Sequence, residues 1–185
     1  MLEVIVKGEE IYDEDKNEFV PSMEPHTLKL EHSLLSIAKW EEKYHKAFLS
    51  TELDLQMTID YIRCMTINNV PNKVYDYITP DIIDQVTEYI KDRHTASYIN
   101  GDHSGVAHKN GSMLGEKVTA EIVYYWMISM DIPVEFQKWH LNRLLMLIRI
   151  ISIKNDPKGG KGQKLTASQR KAINQANRAR FHTKG

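Results

Sequence analysis

The most chemically loaded stretch of this chain is Trp139-His140-Leu141-Asn142-Arg143. On a helix, His140 and Arg143 would share a face, because residues three apart are neighbours, and Trp139 could shield them. A catalytic His-Arg pair is the sharper reading; the better-supported one is a buried Arg143 paired with an acid such as Glu116, Glu121 or Glu135. Glu41, Glu42 and His45 form a second cluster within one helical turn. Lacking a second histidine, they are not the His-Glu-x-x-His zinc pair and fit a salt-bridged helix surface. His94, His103 and His108 share no helix face and have no visible carboxylate to orient them, so they read as loop histidines rather than a zinc or iron site. Cys64, in the apolar run DYIRCMTI, reads as a buried, inert thiol. Gly159-Gly160-Lys161-Gly162 follows no strand and lacks the Gly-Lys-Ser/Thr ending of a phosphate-binding loop. No catalytic, cofactor-binding or metal-binding residue is expected, and the chain does not read as an enzyme.

Composition points the same way. The 185 residues suffice for one domain with appendages. Hydrophobic residues are 42% and charged residues 26%, an ordinary globular balance. The net charge of -1 gives no general pull toward nucleic acid or anionic membrane. A single cysteine excludes an internal disulfide framework. MLEVIVKGEE starts acidic and lacks the apolar core of a signal peptide. His140, Asn142, Arg143 and Arg149 interrupt the best candidate for the roughly 20 apolar residues of a membrane span. A cytoplasmic protein is expected.

The elements that must position these residues can be read in order. Leu2, Val4 and Val6 alternate with Glu3, Ile5 and Lys7 up to Gly8, the period of a strand. Asp13 to Asn17 is an acidic turn between Ile11-Tyr12 and Phe19-Val20, a hairpin pattern, and Thr27 to Leu30 offers a further strand. So few short strands must pack on helices. Ser33 caps a helix reaching about Phe48, and Asp54 opens another that ends at Asn68-Asn69-Val70-Pro71. Val74, Tyr75 and Ile78 make a short helical turn. Thr79-Pro80-Asp81 starts a helix running to about Arg93. Residues 94–116 lack apolar periodicity and read as a long, mobile loop. Residues 118–154 form the longest apolar-rich segment, two helices meeting at Ile132-Pro133. In the second, Leu141, Leu144, Leu145, Ile148 and Ile151 make one stripe, which Leu147 and Ile150 widen beyond the needs of a single contact.

The fold class expected is mainly α (α+β): a short N-terminal β-hairpin or meander packed on about five or six helices, with a flexible basic C-terminal helix. Residues 1–154 form the domain. Residues 155–185 are a flexible basic linker and a helix, SQRKAINQANRARFHTKG, polar on nearly every face and expected to fold on a partner. The tail carries Lys158, Lys161, Lys164, Arg170, Lys171, Arg178 and Arg180 against one acid, Asp156. It could neutralise phosphates. With no base-reading helix, docking on an acidic protein surface is favoured over nucleic acid.

Four stretches together resemble the tail assembly chaperone family of long-tailed bacteriophages and prophages of Gram-positive bacteria. They are LEHSLLSIAKWEEKYHKAFLS (30–50), TIDYIRCMTI (58–67), TAEIVYYWMISMDIPVEFQKWHLNRLLMLIRIISIKN (119–155) and the terminal NQANRARFHTKG. The resemblance covers most of the chain, apart from the loop at 94–116 and the linker at 156–165. It implies a non-catalytic protein of the host bacterial cytoplasm, absent from the mature virion. Such a protein coats the apolar, helical tape-measure protein, keeps it soluble and gives way to tail-tube protein as the tube assembles. Self-association is compatible with this reading, and no membrane is involved. The family brings no ligand motif to transfer. The partner surface is expected on the exposed parts of Trp139, Leu141, Leu145 and Ile148, with Arg170, Lys171, Arg178 and Arg180 of the tail. The competing classes are a structural virion component, such as a tail connector or baseplate subunit, and a nucleic-acid-binding accessory protein acting through the tail.

Overall fold

A computed structural model describes residues 1–15, 17–98 and 117–155. The described elements are four strands, five α-helices and three 3-10 turns, an α+β architecture with the strands at the N-terminus. The chain divides into two compact units, Met1–Ile148 and Arg149–Gly185. Of the second, only the end of the last helix lies among the described residues, and the basic tail at 156–185 lies outside them.

The strands nest. β1 (Leu2–Val6) pairs antiparallel with β4 (His26–Leu30), and β2 (Glu10–Asp13) pairs with β3 (Glu18–Pro21) around the acidic turn. In the outer pair the period-2 pattern sorts the faces: Val4, Val6, Leu28 and Leu30 point inward and are buried, whereas Ile5 stays exposed. The exit from β1 requires a glycine. A Cβ on Gly8 would stand 2.5 Å from the Met23 backbone nitrogen, closer than any side chain could sit. The free edge of β4 is covered from beyond the second helix. Ile67 N–H donates to Lys29 O at 2.9 Å. The Asn68 side chain accepts from Lys29 N–H at 2.9 Å and donates to Thr27 O at 2.8 Å. An amide side chain here continues the ladder, satisfying backbone groups that an exposed edge would leave open.

Helix α1 (Leu34–Tyr44) starts at Ser33, whose hydroxyl accepts from Ser36 N–H at 3.2 Å. It ends earlier than the apolar period suggested. His45 takes the left-handed conformation (φ 50), and the chain turns into a 3-10 segment at Phe48–Ser50. Phe48 still reaches the core, but from that turn rather than along the helix. Helix α2 (Leu55–Met65) is capped by Asp54, accepting from Met57 N–H at 2.7 Å. A 3-10 segment at Asn72–Tyr77 leads to α3 (Pro80–Lys91), with Pro80 at the first turn as expected.

α1 and α2 enclose the largest buried ring, Trp40, which lies 4.6 Å from the Tyr44 ring and 5.2 Å from Phe48. Its indole N–H donates to Met57 O at 3.2 Å, so the polar end of the ring is satisfied. Also between α1 and α2, buried Asp60 accepts from Lys43 Nζ at 2.5 Å and Tyr44 Oη at 2.6 Å, with Arg63 at 3.3 Å. Burial alone would raise its carboxyl, but the bonds from Lys43 and Tyr44 outweigh that and hold it below the usual carboxylate range.

The segment expected to be two helices meeting at Ile132-Pro133 is more broken. α4 (Ala120–Ser129) stops where Asp131 goes left-handed (φ 52). A 3-10 turn covers Val134–Lys138, Trp139 is extended, and α5 (Leu141–Asn155) begins only after His140. The interruption has a tertiary cause. His140 forms an antiparallel bridge with Ser33, and Leu141 N–H donates to His32 O at 2.7 Å. The backbone is therefore claimed by the strand-like entry to α1, not by a helix running on from Pro133.

Candidate functional site

Two surfaces carry residues whose placement asks for an explanation. The first is a histidine cluster drawn from three remote segments. His32 precedes α1, His94 follows α3 and His140 precedes α5. The His32 and His140 rings stand 5.0 Å apart, and His94 and His140 4.0 Å apart. Tyr89 of α3 packs edge-on against both His94 and His140. His32 Nδ1 is bonded to the Tyr61 hydroxyl at 2.6 Å. His140 Nδ1 accepts from Asn142 N–H at 3.3 Å, so its proton sits on Nε2 and points to Tyr89 O at 3.2 Å.

This geometry holds the two buried rings neutral. Burial lowers His32 to about 3, helped by repulsion from His140 and His94. Burial likewise lowers His140 to about 4, with His94 adding to the shift. A proton on His140 Nδ1 would also face the Asn142 N–H that the nitrogen now caps, at the positive end of α5. Among the described residues no group of three or more His, Cys, Asp or Glu side chains is arranged to hold a metal ion.

Beside the cluster opens a cleft of about 270 Å³ lined by Met1, Glu31, Lys138, Trp139, Arg143 and the edges of His94 and His140. Glu31 is engaged: it accepts from the Tyr89 hydroxyl at 2.7 Å and pairs with the Met1 amine at 3.1 Å. Arg143 is not the buried ion-pair partner expected. It is exposed, with its guanidinium 4.2 Å from the Trp139 ring centre, and Trp139 in turn stacks on Phe136 at 4.0 Å. His140 precedes α5 instead of lying in it, so residue 140 points in while residue 143 points outward.

The second surface is α4. Its sequence, AEIVYYWMIS, is apolar nearly all round. Ala120, Val123 and Met127 face the core, and the opposite side carries exposed apolar residues. Glu121, Tyr125 and Ile128 fall at i, i+4 and i+7 on that outer side. Tyr125 is 67% exposed and Ile128 77%, and Val134 on the following turn is 57% exposed. The turn is tied back along the helix by the Tyr124 hydroxyl, which donates to Gln137 Oε1 at 2.8 Å. What seats α4 is Glu41. Expected on a salt-bridged surface, Glu41 is buried, and its carboxylate accepts from Phe48 N–H at 2.8 Å and from Ala120 N–H at 2.7 Å. Burial raises its pKa, only partly offset by these two backbone bonds. One side chain of α1 thus caps the start of α4, 79 positions along the chain.

The residues expected to dock a partner divide. Leu141 and Ile148 are buried in the core with Leu144, so they present no surface; their stripe is consumed by the protein's own packing. Leu145 and Trp139 are half-buried and remain accessible in part. Arg170, Lys171, Arg178 and Arg180 lie outside the described residues, as do His103 and His108. Cys64 is half-buried, with burial pushing its thiol up. The histidine cluster had no sequence signal, because its members are isolated in three segments of unlike pattern. The α4 face did have one: an apolar run with no polar side is wider than a single core contact needs. Among the described residues no helix is long and apolar enough to cross a membrane. No family model, curated protein or solved structure matches the chain.

Proposed function

We propose that this chain is a non-catalytic binding protein, a bacteriophage tail assembly chaperone that keeps the tape-measure protein soluble and yields it to tail-tube protein. The observation that carries the reading is the exposed apolar face of α4, Tyr125 and Ile128, with exposed Val134 on the following turn. It sits within the longest of the stretches that resemble the chaperone family. Helix-binding proteins present apolar anchors one turn apart on such faces. This moves the docking surface from Leu141 and Ile148, which are core, to the outer side of α4, with Trp139 and Leu145 at most contributing at its margin.

Co-expression tests it. A tape-measure fragment encoded beside this gene, insoluble alone, should become soluble and co-purify with the chain. An insoluble fragment under those conditions defeats the proposal. Purified phage particles should lack the protein, and finding it there in stoichiometric amount would identify a virion component instead.

A further inference from the structure

We infer that the cleft beside the histidine cluster is a site for a terminal oxyanion, a carboxylate or phosphate group, held by Arg143 and Lys138. The inference stands apart from the α4 face and does not rest on the chaperone reading. What carries it is a mismatch between donors and acceptors around one cavity. Of the charged groups that line the cleft, the Met1 amine, Lys138 and Arg143 are cations and Glu31 is an acid. Glu31 is spent: one oxygen takes the Met1 amine at 3.1 Å and the other the Tyr89 hydroxyl at 2.7 Å. Lys138 and Arg143 are left over. Both are exposed, and among the described residues neither forms an ion pair. The nearby acids do not supply one: Asp92 stands 3.6 Å from His94 Nε2, and Glu135, three residues before Lys138, is not paired with it.

Arg143 is held in place without being used up. Its guanidinium lies over the Trp139 ring, 4.2 Å from the ring centre, and Phe136 stacks on the same ring at 4.0 Å. Contact with a ring face engages the charge but consumes no N–H donor, so the fork that matches a carboxylate or phosphate stays open. The backbone cannot take that role. The first N–H groups of α5, from Leu141, Asn142 and Arg143, already reach His32 O, His140 Nδ1 and His140 O. The His140 Nε2 proton points to Tyr89 O. A cationic ligand would meet two like charges, and an apolar one would leave both unpaired. The cleft, about 270 Å³, is smaller than the roughly 300–1,000 Å³ of drug-sized sites, which suits one charged end group.

NMR of the isotope-labelled full chain tests this, following the Trp139 indole N–H signal, identified by its loss in Trp139→Phe. The probes are glutarate, inorganic phosphate and neutral glutaramide, at matched ionic strength because salt screens exposed cations. The signal should shift and saturate with glutarate or phosphate and stay put with glutaramide, while the Trp40 and Trp126 indoles do not follow. Arg143→Gln should weaken binding about tenfold and Lys138→Gln about threefold. Thermal melting should be unchanged in both, because both side chains are exposed. Saturation by glutarate alone identifies an acidic side chain or chain terminus as the source, and by phosphate alone a phosphorylated ligand; saturation by both establishes the shared chemistry. A signal that moves with neither anion overturns the inference. So does a shift that climbs without saturating, glutaramide binding as tight as glutarate, or affinity unchanged in both variants.

Discussion

Acid should unfold this protein through His32 before its carboxylates titrate. His32 is buried against Tyr61, faces His140 and His94, and has its pKa lowered to about 3 from 6.5. The folded state therefore favours the neutral ring. Its contribution is fully present above the unfolded pKa and is lost as pH falls toward the folded one. At about pH 5 the unfolded chain binds the proton and the fold does not, a loss of about 2 kcal/mol; the full shift corresponds to about 5 kcal/mol near pH 3. His140, lowered to about 4, adds a loss of the same sign. The lowered carboxyls of Asp60, Asp92 and Glu121 act in the same direction only at more acidic pH, and the raised Glu41 acts oppositely. The window between about pH 6.5 and pH 5 thus lies above the lowered carboxyls, and Glu41 cancels in a comparison of two chains that both carry it. Urea unfolding followed by tryptophan fluorescence at the two ends of the window measures the loss. The informative variant is His32→Leu with Tyr61→Phe, which removes the imidazole and its phenol together and orphans neither. Its stability should fall by about 2 kcal/mol less than that of the natural chain across the window. Identical losses in the two proteins would refute the assignment.

Three further outcomes follow from the packing. Glu41→Ala should cost about 2–4 kcal/mol, because two buried backbone donors, Phe48 N–H and Ala120 N–H, lose their acceptor; chemical denaturation reads this directly. Trp40→Ala, which empties the fully buried site between α1 and α2, should cost about 3–5 kcal/mol on the same assay. Cys64 should react with an aromatic disulfide reagent at least about tenfold more slowly in the folded chain than in urea, since burial raises the thiol.

Local chemistry made much of this fold readable. The alternation of Val4 and Val6 announced a one-faced strand, and both are buried while Ile5 is not. Ser33, Asp54 and Thr79-Pro80 each mark a helix start where one occurs, and Ser33 and Asp54 supply the capping acceptor themselves. These signals work because capping and strand alternation are settled within a few residues. The misread elements were those decided at a distance. α1 reads as continuing to Phe48 because Phe48 keeps the helical period, but the ring arrives from a separate turn. The helix from Pro133 reads as continuous because nothing local shows that Ser33 and His32 will bond the backbone at His140 and Leu141.

The same division runs through the functional surfaces. Composition and pattern alone determined an α+β protein with an over-wide apolar segment at 118–154 and few residues grouped for chemistry. Only the tertiary structure decided how that width is spent: Leu141, Leu144 and Ile148 go into the core, and Tyr125 and Ile128 on the outer side of α4 are exposed. It also brought Glu41 to α4 and gathered His32, His94 and Tyr89 around His140. A hydrophobic stripe records that a side chain seeks burial but not against which neighbour, because apolar attraction has no direction. Long-range pairings of single polar groups leave no periodicity to read, so those sites exist only in the folded chain.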